Sequence, residues 1–218
     1  RAMTLLELLP KLLDGLTVSA LMWALTLLIG YPLGLLLSLV QRTPSKAFSA
    51  IVFVVVELGR GAPVLVVLYL VYFGLPNVGV LLPAIPAAVI AFAITTAAYS
   101  SEIFRGALSS IPRGQLEAAR VLGFSPAQQV VSILLPQALR VALPALIGFA
   151  ITVFQGTALA YAISVPELLG RAYNEANISF RYVEVLAVAG AVYLVVSLVG
   201  TWVADRIERR MNKAFART

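Results

Sequence analysis

Four long stretches of this chain carry no charged residue. They cover residues 15–41, 61–101, 141–166 and 185–204, which is 27, 41, 26 and 20 residues. A helix that crosses the hydrocarbon core of a bilayer needs about 20 mostly apolar residues. A surface helix of a soluble protein turns one face to water and rarely runs so far without a charge. The spacing therefore predicts an all-α membrane protein. Composition agrees, because only 12% of the residues are charged, about half the share of a soluble domain. So few charges cannot coat a water-facing surface, and a soluble globular protein is excluded.

The 41-residue run is long enough for a hairpin of two spans. Gly74, Pro76, Asn77 and Gly79, closing at Pro83, supply a turn-rich break inside it. Residues 84–104 after the break can cross. Residues 61–73 before it are too few, so that span must begin earlier and carry Arg60. Five spans result, near 16–40, 54–74, 84–104, 142–163 and 184–204, with 44–53 as an interfacial lead-in to the second. The chain reads as a single transmembrane domain over 1–218. The N-terminal apolar run is too long for the apolar region of a signal peptide. The chain starts at Arg1 rather than Met, which leaves room for a preceding segment.

An odd number of spans puts the termini on opposite sides. One side then holds eleven basic residues, around Arg42 and Lys46, along 105–140, and from Arg206 to Arg217. The other holds four: Arg1, Lys11, Arg171 and Arg181. Cytoplasmic loops carry the excess of Lys and Arg, so the C-terminus is expected in the cytoplasm and the N-terminus outside. This also accounts for the net charge of +6 without nucleic acid as a partner. The chain has no cysteine and no histidine. That excludes disulfides, thiolate metal sites and imidazole chemistry. A membrane enzyme would need paired acid–base groups or a metal cluster, and the acids here are scattered.

The longest loop, 105–140, reads as two helices with a sharp break. The first should start near Pro112, with Ser110 as a candidate cap. It should end at Gly123, which can adopt the left-handed conformation. Ser125 should cap the next helix, with Pro126 at its first position and Gln128 completing a capping box. Ala118 and Ala119 leave one side of the first helix free of bulky side chains, which suits a groove on a partner. The segment 112–120 lacks the large apolar anchors of a helix lying on a bilayer surface.

At this point the residues resemble a known family. Glu117-Ala118-Ala119, Gly123, Ile133 and Leu135-Pro136 match a Glu-Ala-Ala-x3-Gly-x9-Ile-x-Leu-Pro signature at every fixed position. The match is similar to the cytoplasmic signature of permease subunits of bacterial ATP-driven (ABC) importers of type I. The rest of the chain resembles the polar amino acid branch, the histidine, glutamine, arginine and glutamate permeases. Gly59-Arg60-Gly61-Ala62-Pro63, residues 98–107 around Tyr99 and Glu102, Gly114-Gln115, Gly156-Thr157 and Val165-Pro166-Glu167 all carry that likeness. Two departures fall where the family's solute path runs. Gln155-Gly156-Thr157-Ala158 stands where many relatives have a lysine-led motif, and Gly148 where asparagine is common.

The resemblance implies a non-enzymatic, multi-pass subunit of the bacterial inner membrane. Its partners would be ABC ATPase subunits, a second permease chain (identical or similar), an extracytoplasmic amino-acid-binding protein and membrane lipid. This chain has no phosphate-binding loop, so ATP and Mg would be bound by the ATPase partner and no cofactor by this chain. The short helix would be the coupling element, through Gly114, Gln115, Glu117, Ala118, Ala119 and Gly123. Glu117 either pairs with a basic residue of the ATPase or stays solvated. The candidate residues of the solute path are Glu57, Arg60, Tyr99, Gln155 and Thr157. Charged residues within a span are functional candidates. Glu57 and Arg60 either form a structural pair at the membrane edge or set Arg60 toward a central cavity to attract a carboxylate. Gln155 and Thr157 either bond a solute or join two helices. The alternatives are a permease of the same class for another small solute, a secondary transporter or a channel. A secondary transporter usually shows internal repeats, and none stands out here.

Overall fold

The charge-free runs become helices, as their length requires. The computed structural model describes residues 5–43 and 45–215. In chain order the helices are α1 (Leu5–Val40), α2 (Lys46–Gly61), α3 (Val64–Tyr69), α4 (Ala84–Ser109), α5 (Arg113–Val121), α6 (Pro126–Gln129), α7 (Leu135–Gly156), α8 (Leu168–Ser179) and α9 (Tyr182–Phe215). No strand occurs among the described residues. Helix α3 runs on through a π turn at Leu70–Gly74 and a 3-10 turn at Leu75–Val78. A second π turn, Val130–Leu134, joins α6 to α7. Pro136, which has no N–H, stands two residues beyond it, and a widened turn lets the helix pass such a residue.

Helix α4 is the centre of the bundle. Of its most apolar window 67% is buried, against 22% or less for the other long helices. Small residues make this possible, because apolar lipid supplies no hydrophobic drive between helices and close backbone packing must replace it. Gly30 and Gly34 of α1 lie against Thr96 and Ser100 of α4, and a Cβ on Gly30 would come within 2.6 Å of the Thr96 methyl. Helix α1 also clasps α7, since Trp23 Nε1 donates to the Ala150 carbonyl at 2.7 Å and Tyr31 Oη to that of Leu146 at 2.5 Å. The N-terminal part of α1 rests on α8 and α9 through Leu8, Leu12, Leu168, Ala172 and Val185.

Among the described residues, four helical segments are long and apolar enough to cross a membrane: Leu8–Val40, Ala84–Ser109, Pro126–Ile163 and Tyr182–Arg209. The pair Lys46–Gly61 and Val64–Val78 makes a fifth if taken as one span, bent by 101° at residues 62–63. The five-span expectation agrees with this count. The second span needs correction in detail. It is not one helix over 54–74 with a lead-in at 44–53, for 46–61 is a single helix and the chain turns sharply after it. The cause is local. Pro63 pushes Ala62 out of the helical region, and Ala62 sits at ψ 132°. Charge spacing also cut the first and fourth spans short, because Lys11, Asp14 and Arg140 remain inside helices. Arg1 and Arg217, used in the charge count, lie outside the described residues.

Candidate functional site

The bend at 62–63 opens a cavity of about 860 Å³ between α2, α3, α4 and α7. Arg60 and the extended residues Ala62 and Pro63 form one wall, and Thr95, Thr96 and Tyr99 of α4 form another. Helix α7 contributes Phe149, Thr152 and Gln155. Irregular backbone at membrane depth is tolerated where it lines a cavity of this kind.

Arg60 is held in place but not saturated. Its Nη1 donates to Glu57 Oε1 at 3.0 Å and lies 3.7 Å from Glu102 Oε2. Its guanidinium carbon is 5.9 Å from the centre of the Tyr99 ring, within cation–π range. The Tyr99 hydroxyl in turn donates to the Arg60 carbonyl at 3.0 Å. Glu102 also accepts from Arg105 Nε, so Glu57, Arg60, Glu102 and Arg105 form one chain of alternating charge across α2 and α4. Arg60 Nε is buried and has no hydrogen-bond partner among the described residues. An unmet buried donor costs about 1–3 kcal/mol.

The sequence candidates separate here. Arg60, Tyr99 and Gln155 line the cavity. Glu57 does not, and acts on it through Arg60. Gln155 also joins helices, since its Nε2 donates to Ser197 Oγ of α9 at 3.0 Å. Thr157 is fully buried and its hydroxyl donates to the Phe154 carbonyl at 2.7 Å, so it lies off the cavity wall. Thr95, Thr96 and Thr152 were missed. Single threonines in an apolar run give no signal until the helices are placed side by side.

The loop beyond α4 is built as its residues require. Gly123 has φ +80°, a conformation that a Cβ disfavours. The Phe124 N–H donates to the Ala119 carbonyl and the Gly123 N–H to that of Arg120, both at 3.0 Å. This is a Schellman ending, which satisfies carbonyls the helix would leave open. Ser125 and Gln128 form the expected capping box, and Pro126 opens α6. Ser110 is not the cap of α5, however. Its hydroxyl donates back to the Ala107 carbonyl and closes α4, while Pro112 precedes α5 without a side-chain bond.

The two alanines of the signature differ in exposure. Ala119 is buried, whereas Ala118 and Glu117 are exposed. Leu116 leans on a core formed by Phe104, Leu108, Ile111 and Leu134. Gln137 Nε2 donates to Gln115 Oε1 at 2.7 Å, tying α5 to α7. Gly114 is exposed, in the first turn of α5. Large apolar anchors are present after all. They lie just beyond 112–120, where Val121 is 87% and Leu122 75% exposed.

A third feature escaped physical reading of the sequence. Glu167 is buried between α1, α8 and α9 and caps α8 through the Leu169 and Gly170 N–H groups at 2.9 and 2.7 Å. It also accepts from Tyr193 Oη at 2.8 Å and Ser19 Oγ at 3.4 Å. Burial pushes its carboxyl above the usual carboxylate range, and these four donors pull the other way.

A bundle of membrane-length helices around a central cavity, with a stiff helix projecting between two of them, defines a transport protein of the membrane. Residues 30–213 match the family described as "Binding-protein-dependent transport system inner membrane component", and the chain belongs to it. It is 33% identical over 204 residues to the arginine transport system permease protein ArtQ of Bacillus subtilis, covering 93% of each chain. It is 33% identical to the nopaline transport system permease protein NocM of Agrobacterium fabrum, over 89% of this chain and 85% of that one. A crystal structure of an amino acid ABC transporter with histidines superposes with a TM-score of 0.85 at 32% identity, covering 92% of this chain and 94% of that one.

Proposed function

We propose that this chain forms the translocation path of an ATP-driven importer of polar amino acids. The observation that carries the reading is Arg60, a cation with an unmet donor at the wall of a membrane cavity. A solute carboxylate entering the cavity would supply the acceptor. The guanidinium would swing onto it and make a charge-assisted bond. Tyr99 and Gln155 would meet the rest of a polar solute, and Thr95, Thr96 and Thr152 would offer hydroxyls. The amino acid permeases among its relatives support this solute class.

Energy would enter through α5. The exposed Glu117, Ala118, Val121 and Leu122 would dock on a separate ATPase subunit that binds ATP and Mg. The partner set would be completed by a second permease chain and an extracytoplasmic binding protein that delivers the solute. Closure of the ATPase pair would shift the two α5 helices and rock the bundle between outward- and inward-open states. The basic split supports a cytoplasmic C-terminus and an outer N-terminus. The whole chain, on this reading, works as one permease domain.

The test is reconstitution with the ATPase and the binding protein, scoring ATP hydrolysis against a panel of amino acids. Stimulation by one or a few polar amino acids is expected. Failure of every amino acid, with stimulation by another small solute, would replace the solute class and leave the importer reading standing.

A further inference from the structure

A second cavity lies where α1 ends, α2 begins and α4 ends. Its volume is about 620 Å³, and Gln41, Arg42, Lys46, Ser49, Phe53 and Arg105 are among the residues that line it. It is separate from the solute cavity and shares no lining residue with it.

The charges around it do not balance. Arg105 is met by Glu102, whose two carboxylate oxygens accept from Arg105 Nε at 2.9 and 3.0 Å. Arg42 and Lys46 pair with no acid among the described residues. Ser49 Oγ donates to the Gln41 carbonyl at 2.9 Å and fastens the start of α2 to the end of α1. Gln41 Nε2, by contrast, is buried with no hydrogen-bond partner among the described residues. A concave site with two uncompensated cations and an unmet amide donor calls for an anion with several acceptor oxygens. A phosphate group is that chemistry.

Position selects the source of the phosphate. The cavity closes the charge-free run 15–41, and so sits at the depth where headgroups begin. Helix α2 leads away from it with Phe53, 54% exposed, on the face that lines the cavity, and with Phe48 and Ile51, 53% and 61% exposed, on its other side. A soluble phosphate has no use for a helix exposed and apolar on both sides, whereas acyl chains do. Basic pockets between spans at this membrane face suit anionic headgroups. We propose that this cavity binds the phosphate of an anionic phospholipid, with its acyl chains laid along α2.

The experiment is native mass spectrometry of the intact delipidated transporter, titrated with phosphatidylglycerol or phosphatidylcholine. Wild type should bind phosphatidylglycerol the tighter. Each cation near a phosphate contributes on the order of one tenfold step or less, so Arg42→Gln with Lys46→Gln should weaken phosphatidylglycerol roughly thirtyfold. Gln41→Leu should weaken it about threefold, through the lost donor alone. Arg209→Gln, a basic residue of α9 outside the cavity, should change nothing. Unchanged thermal unfolding reports that the variants remain folded, because phosphatidylcholine carries the same phosphate and would itself bind less tightly where these donors are lost. Undiminished phosphatidylglycerol binding by the double variant and by Gln41→Leu would overturn the site. An equal loss in Arg209→Gln would reduce it to diffuse surface charge, overturning it as well. Displacement of the lipid by glycerol 3-phosphate at similar concentration would assign the cavity to a free anion and overturn the lipid.

Discussion

The loop around α5 and the cavity around Arg60 are built on opposite plans. Every backbone or capping bond that ends α5 and starts α6 joins residues no more than five apart, from Ala119–Phe124 to Ser125–Gln128. The cavity draws its wall from four helices and the 3-10 turn Thr157–Ile163, spread over about a hundred residues, 60–159. The turn from α5 to α6 has its caps met, while the cavity retains a buried donor on Arg60. If α5 works as the proposed lever, it must hold its shape under load, and local bonds give it that. If the cavity holds the proposed solute, it must exchange partners, and a tertiary arrangement with an unmet group allows it.

The largest effect is expected where the local plan is broken. Gly123 is left-handed, a conformation that costs an ordinary L-residue about 1–2 kcal/mol and a β-branched one more. Gly123→Val should therefore loosen the turn between α5 and α6, and solute uptake should fall to the level seen without ATP. Asparagine tolerates the left-handed region, so Gly123→Asn should recover much of the activity. Uptake and ATP hydrolysis measured together in proteoliposomes check both. Full uptake by the valine variant would mean that the lever does not depend on its local stiffness.

Next comes the tertiary plan. A hydrogen bond to a charged group is worth about 1.5–3 kcal/mol, so Arg60→Gln should weaken apparent solute affinity by about tenfold or more. Arg60→Lys should recover part of that loss, because charge returns without the planar fork. Concentration-dependent uptake separates this from a coupling defect. A variant that lost maximal rate with affinity intact would move Arg60 from solute contact to the packing of α2 on α4.

The same contrast governs what could be read from residues alone. Gly123, Ser125, Pro126 and Gln128 were legible because each acts on neighbours a few positions away. Ser110 misled although it too acts locally, since a serine between two helices can cap the second or close the first, and here it bonds back to Ala107. Span number followed from charge spacing, but the 101° bend at 62–63 did not, because a proline alone does not say how far a chain turns. Glu167 was visible only as part of a family motif. Its physical role needs Ser19 and Tyr193, 148 and 26 residues away. The threonines of the cavity wall carried no signal, for lining a cavity is a property of helix rotation.

Gln155 tests the overlap of the two plans, as it faces the cavity and bonds Ser197. Gln155→Leu should lower affinity about threefold, the loss of one neutral hydrogen bond, and Ser197→Ala should lower it less. Equal losses in both would make the α7–α9 bond, rather than solute contact, the reason for the effect.

The smallest effect is expected at Thr157, and it draws the edge of the cavity. Its hydroxyl donates to the Phe154 carbonyl, which also accepts the Thr157 backbone N–H. Removing the hydroxyl leaves that carbonyl partnered, so no buried acceptor is stranded. Thr157→Val then costs about 1 kcal/mol of stability at most and should leave solute affinity within about twofold. Thermal unfolding in detergent reads the first quantity and uptake the second. An affinity loss as large as that of Arg60→Gln would require Thr157 to turn toward the solute during transport. The Thr157 hydroxyl would then join Leu159, which already lines the cavity from the 3-10 turn Thr157–Ile163, and the wall described by Arg60, Tyr99 and Gln155 would belong to one state of the cycle only.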